Sequence, residues 1–223
     1  MVLPTYEYET EKHRQGFCNI AGCDEVGIGP LAGPVVAAAV VLNPTDFLPG
    51  NINWWRRVRD SKKVPEKERL ILANVIKEHA LAFSVAIVSH ETIDQINILN
   101  AAMEAMKQSL NNLAVKIDYV FVDGKHKIRN FDSIEQEPVI GGDSKIISIA
   151  CASILAKVSR DALLDELHTK YPPYNFKSNK GYPTKAHREA LMKYGPSPVH
   201  RESFGLVKQL ITGQKYITNF KSS

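Results

Sequence analysis

The segment Pro34–Leu42, PVVAAAVVL, restricts the possible folds more than any other part of the chain. It is apolar throughout, rich in valine, and bounded by Gly33-Pro34 and Asn43-Pro44. A run of this length without polar alternation forms a buried strand, and a buried strand needs covering layers. Extended back to Leu31, the apolar stretch is twelve residues long and contains Gly33-Pro34, which is too short for a bilayer span.

Further elements surround that strand. Asn19–Cys23 is short and apolar and runs into Asp24-Glu25; Ala82–Val88 reads as a third strand. Ile117–Val122 is a fourth, ending at Asp123-Gly124, and Val139-Ile140 a short fifth before Gly141-Gly142-Asp143. Pro65 suits a first helical position, which predicts a helix over Glu66–Ala80 with Leu70, Ala73 and Ile76 on one face. Ile93, Ile96, Leu99, Met103, Met106, Leu110 and Leu113 make one stripe at helical spacing, so a single helix is expected over 91–113, its methionines in the core. A long helix is predicted from Lys145 to Leu167, with shorter ones at 184–193 and 203–212. Strands first, then strand–helix alternation, then helices alone indicate an α/β layered domain with a helical C-terminal extension. The expected division is an N-terminal extension over 1–18, a core over 19–167, and a basic helical region over 168–223 packed on it.

Of the 223 residues, 44% are hydrophobic and 23% charged, which excludes wholesale disorder. Three cysteines, Cys18, Cys23 and Cys151, form no CxxC pair, which excludes a disulfide scaffold and argues against structural zinc. The first sixteen residues are polar and charged, without the apolar core of a signal peptide, so a cytoplasmic protein is expected. Net charge is only +4, but residues 168–223 carry ten Lys/Arg against two Asp/Glu. That imbalance fits either a polyanionic partner or an ordinary solvated basic surface.

Acidic residues stand where strands end: Asp24 and Glu25 after the first, Asp123 after the fourth, Asp143 after the fifth. Open α/β sheets place their sites there. Clustered carboxylates either raise one another's pKa or bind a divalent cation, and oxygen-only ligands suit Mg²⁺ or Mn²⁺. A pair of such ions about 3.5–4 Å apart activates water for phosphodiester hydrolysis. The competing reading is that each is a turn or cap residue, since Asp-Gly and Asp-Ser start turns. Neighbours on a flat strand point to opposite faces, so Asp24 and Glu25 need a bend to serve one cluster. Gly27-Ile28-Gly29-Pro30 is a candidate bend, and its glycines would let the backbone approach a phosphate or sugar.

These residues carry a resemblance. AGCDEVGIGPLAGPVVAAAVVL, beginning at Ala21, resembles the opening motif of ribonuclease HII, usually DEVGRGPLAGPVV. RDSKKV (59–64), IDQINILNAAMEAM (93–106), DYVFVDG (118–124), GDSKIISIACASILAKVSRD (142–161), NKGYPTKAHREAL (179–191) and PVHRESF (198–204) are similar to later elements of that family, in order. The resemblance implies an RNase H-like fold with a mixed five-stranded sheet. It also implies Mg²⁺- or Mn²⁺-dependent cleavage of RNA in RNA–DNA hybrids, including ribonucleotides embedded in duplex DNA, leaving 3′-hydroxyl and 5′-phosphate ends. Asp24, Glu25, Asp123 and Asp143 match the metal-binding carboxylates, with Asp24 expected to bridge the ions. Tyr182 matches the tyrosine that stacks at the RNA–DNA junction, and Gly27 and Gly29 the glycines whose backbone contacts the ribonucleotide. Lys62 and Lys145 are expected near the site, Lys145 beside the scissile phosphate.

One departure falls inside the motif: GRG is Gly27-Ile28-Gly29 here. Isoleucine cannot donate the arginine's hydrogen bonds. The related ribonuclease HIII has GTG at this point, so weaker recognition of single ribonucleotides with retained action on longer hybrids is expected. A non-catalytic hybrid-binding protein is the alternative, opposed by the presence of all four carboxylates. A monomer is expected, with a replication-clamp contact left open; Ile211–Ser223 reads as a frayed terminus in preference to a short partner motif. For Trp54–Arg59, nucleic-acid contact and plain packing are both open, as are surface and functional roles for His187 and His200. Asp161 reads as a structural ion-pair member.

Overall fold

The computed structural model describes residues 3–213 apart from 49 and 52, so the tail from 214 onward, with most of Ile211–Ser223, lies outside it. In chain order the elements are α1 (Glu7–Arg14), β1 (Ile20–Val26), β2 (Val35–Leu42), α2 (Glu66–His79), β3 (Ala80–Val88), α3 (His90–Ile96), α4 (Ile98–Asn111), β4 (Tyr119–Asp123), β5 (Glu135–Val139), α5 (Ile147–Lys170), α6 (Phe176–Asn179), α7 (Lys185–Tyr194) and α8 (Gly205–Thr212). Short 3-10 turns join several of them, including Ser61–Lys63 and Gly142–Ser144.

The strands form one sheet in the order β3-β2-β1-β4-β5. β2 pairs antiparallel with β1 and β3, whereas β1–β4 and β4–β5 are parallel, so the sheet is mixed as expected. Every residue of β2 is buried, because both faces of the sheet are covered. Val35, Ala37, Ala39 and Val41 pack on the α4 side with Ala101, Ala105 and Met106. Val36, Ala38, Val40 and Leu42 pack on the other side with α2 and α5. The N-terminal turns of α5 lie directly on β1: a Cβ added at Gly22 would stand 2.4 Å from the Ile149 amide nitrogen. Only glycine admits that approach.

The single helix expected over 91–113 is two helices. Asn97 adopts φ 65° and its side-chain oxygen accepts from the amides of Leu99 and Asn100, capping α4. The break rotates the stripe, and Leu99, expected on its buried face, is exposed. The fifth strand is Glu135–Val139 rather than Val139-Ile140. It is an edge strand, polar and containing Pro138, and therefore lacks the apolar signature of its neighbours. α5 starts two residues later and ends three later than expected.

α1 docks on the start of α5. Thr5 and Ile146 form a bridge, and the Glu9 carboxylate accepts from the Ser148 amide at 3.0 Å. At the other end of α5, Leu31, Ala32 and Leu164 share a small core with Tyr174, Phe176, Leu191 and Val207. This core fastens the basic C-terminal helices to the body.

Candidate active site

The parallel register Cys23↔Val122 places the next residues, Asp24 and Asp123, beside each other at the ends of β1 and β4. Both project toward the α5 side, and Glu25 toward the α4 side, because alternate strand residues face opposite ways. Glu25 nevertheless borders two adjoining clefts. One, of about 330 Å³, is lined by Asp24, Glu25, Ser61, Lys62, Arg69, Ser153, Lys157 and Tyr182 among others. The other, of about 120 Å³, is lined by Glu25, Asp123, Ile28, Leu99, Met103, Lys125 and His126 among others. The bend sits at Gly27, whose φ is 104°. Asp143 lies in the 3-10 turn after β5, and the neighbouring Gly142 amide donates to Asp123 Oδ1 at 2.7 Å.

The carboxylates are electrostatically one group. Burial, then the charges of Glu25 and Asp123, push Asp24 well above the usual carboxylate range. Glu25 is pushed up by burial and by Asp123. Asp143 is raised by burial, Asp123 and Asp60, against the opposing pull of Lys62 and Lys63. Burial alone would lower Lys62, but Asp24, Asp143 and Asp60 outweigh it and raise its pKa, so its ammonium stays charged at the cleft.

The donor set suits a hard divalent cation. It offers carboxylate oxygens only, and Glu25 Oε2 is buried with no hydrogen-bond partner among the described residues. Among those residues no three His, Cys, Asp or Glu side chains stand together as a metal cage. An open arrangement fits Mg²⁺-type ions, which keep several waters and take one or two carboxylates plus substrate phosphates.

Supporting residues escaped the sequence reading. Ser153 hydrogen-bonds Asp24, and its hydroxyl is 2.9 Å from that of Ser61. The one available signal was a serine placed among the apolar residues of α5, where a buried hydroxyl needs a partner. Tyr182 lies against Gly29, 3.5 Å from where a Cβ would sit. Lys145 is not drawn into either cleft; its ammonium donates to the Ile140 carbonyl at 2.7 Å. Ile28 packs toward the α4 core.

The remaining candidates have partners within the fold. Trp54 is buried and donates to Asp46, while Arg57 and Arg59 reach Glu68. Asp161 pairs with Lys157 at 2.6 Å, as expected. His187 and His200 are both buried, their Nε2 atoms 3.0 Å apart, and His187 Nδ1 lies 2.8 Å from the Tyr182 carbonyl.

The sequence model of Ribonuclease HII matches residues 21–207. The chain belongs to the ribonuclease HII family. It is 48% identical over 206 residues to a ribonuclease HII of Caldanaerobacter subterraneus subsp. tengcongensis, covering 92% of this chain and 81% of that one. A relative of the same description from Clostridioides difficile is 49% identical, covering 88% and 74%. Among solved structures, ribonuclease H2 from Pyrococcus horikoshii superposes with a TM-score of 0.71 at 26% identity, covering 86% of this chain and 97% of that one. Bst-RNase HIII in complex with Mn²⁺ superposes at 0.64 with 17% identity, covering 89% and 71%, a likeness of fold. The chain is thus a ribonuclease H hydrolase with an RNase H-like fold. No helix among the described residues is long and apolar enough to cross a membrane.

Proposed function

We propose that the chain cleaves the RNA strand of RNA–DNA hybrids, and duplex DNA at embedded ribonucleotides, to 3′-hydroxyl and 5′-phosphate ends, with Mg²⁺ or Mn²⁺ held by Asp24, Glu25, Asp123 and Asp143. The observation that carries this reading is the pairing of Asp24 and Asp123 at adjacent parallel strand ends, with a partnerless Glu25 oxygen beside them. Divalent ions bound there supply a Lewis acid for the attacking water and the leaving oxygen. The protein's part is to orient. Ser153, itself bonded to Ser61, orients the Asp24 carboxylate, and the Gly142 amide orients that of Asp123. Lys62 places a positive charge where a phosphate would lie, and Tyr182 offers a ring above the Gly29 backbone. The Mn²⁺ complex of Bst-RNase HIII and the family itself support the metal assignment.

The position of Ile28 favours a second reading within the same activity, a preference for longer hybrids. Its side chain is apolar and packs against the α4-side core, so it adds no donor at the junction. A monomer working in the cytoplasm completes the proposal, and the PCNA:RNase HII complex from Archaeoglobus fulgidus makes a clamp contact worth assaying.

The test is cleavage of a labelled hybrid with Mg²⁺ or Mn²⁺, with product ends mapped. Chelator-sensitive cutting to 3′-hydroxyl ends supports the proposal, and cutting that persists in excess chelator overturns it.

A further inference from the structure

Two arginines beneath the Gly27-Ile28-Gly29 turn, Arg160 of α5 and Arg201, have no exposed surface. Every hydrogen bond found for them ends on a main-chain carbonyl. Arg160 donates to Pro34 (3.0 Å), Lys180 (2.9 Å) and Ala32 (3.2 Å). Arg201 donates to Gly33 (3.0 Å), Ile28 (3.1 Å), Gly27 (2.7 Å) and Pro34 (3.2 Å). Burial pushes Arg160 down to about 10 and Arg201 to about 9, so both stay charged at neutral pH.

Burying a cation without a carboxylate partner costs stability, and these two even share the Pro34 carbonyl. Their geometry shows what the arrangement achieves. In a trans peptide the C=O and the following N–H point in opposite directions. With the Gly27 and Ile28 carbonyls drawn inward to Arg201, the amides of Ile28 and Gly29 must point away from it. Neither amide has an acceptor among the described residues. Two successive outward amides make an anion- or hydroxyl-binding nest, here backed by two guanidinium charges and flanked by Tyr182. A Cβ at Gly27 would stand 2.5 Å from Arg160 Nε, so the turn and the arginines are fitted to each other.

We propose that Arg201 and Arg160 are positioning residues, which never touch substrate but hold the Ile28 and Gly29 amides outward as a donor pair for an oxygen of the RNA strand. This rests on the hybrid-cleaving reading above. It also accounts for how a turn carrying isoleucine in place of arginine keeps a positive field: the charge comes from behind the loop.

The test compares wild type with Arg201→Lys and Arg160→Lys on a hybrid and on all-DNA duplex of the same sequence. Each lysine keeps the charge but cannot span several carbonyls. The expected result is a KM for hybrid raised about tenfold or more, with preference for hybrid over DNA reduced alike and kcat nearly unchanged. Reduced thermal stability with unchanged KM and unchanged preference overturns the proposal. Should the variants not fold, amide exchange of the wild-type protein decides: Ile28 and Gly29 amides exchange freely alone and become protected on hybrid, and no protection overturns it. Wild type that cuts no hybrid refutes the underlying reading instead.

Discussion

Glu9 gives the sharpest stability prediction. Its carboxyl is 1% exposed and sits against the first turn of α5. Burial raises its pKa from 4.5 to about 7, against the lowering effect of its bonds to Ser148 and the backbone. A raised carboxyl pKa means the folded state holds the proton more tightly. The contribution of Glu9 is therefore fully present below pH 4.5 and is lost as pH rises to about 7. At about 1.4 kcal/mol per pH unit, that gap corresponds to a loss of about 3 kcal/mol at pH 8 relative to pH 4. Glu9→Gln keeps an acceptor for the Ser148 amide and removes the cost of burying a charge. The variant should match wild type at acid pH and exceed it by roughly 1–3 kcal/mol at pH 8, the lower figure allowing for the lost charged acceptor. For a chain of this size that is a Tm gain of several degrees, about 2–4 °C per kcal/mol. Urea unfolding of both proteins from pH 4.5 to 8 measures it, and subtracting the two curves removes the titration of the other acidic groups. A difference that is flat with pH, or that favours wild type as pH rises, would refute the reasoning.

Three further outcomes follow from the same geometry. Ser153→Ala should leave the fold intact and lower turnover about 10–100-fold, as loss of a residue that orients a ligand does; unchanged steady-state rates would remove Ser153 from the site. Gly22→Ala should destabilise by about 1–3 kcal/mol or more, because backbone rather than a flexible side chain blocks the new methyl; unfolding curves matching wild type would contradict the close approach. Ile28→Arg should raise incision at a single embedded ribonucleotide more than cleavage of an RNA run; equal effects on both would show that Ile28 does not set the preference.

The sequence disclosed those features whose cause is local. β2 was legible because an unbroken apolar run has one stable environment, and Asp24 and Asp123 because both follow such runs directly. β5 was misplaced because an edge strand containing Pro138 carries no burial signature. The interruption at Asn97 was hidden because a capping asparagine inside an apolar stripe looks like a tolerated polar residue. α1 went unseen: it is mostly polar, and its one buried residue is the charged Glu9. The roles of Arg160 and Arg201 were not legible, since only the fold brings the carbonyls of residues 27–34 and 180 around them. Lys145 shows the converse, because closeness in sequence to Asp143 leaves its ammonium on the Ile140 carbonyl.

The most direct test of the metal-dependent carboxylate site is one cleavage assay with two labelled duplexes, one carrying a single ribonucleotide and one a run of RNA, with Mg²⁺ or Mn²⁺. Wild type should cut the RNA run, and Asp123→Asn should reduce that rate by at least about 10²-fold while keeping the wild-type melting profile. Undiminished cutting by well-folded Asp123→Asn would show that the chemistry lies elsewhere than at the ends of β1 and β4.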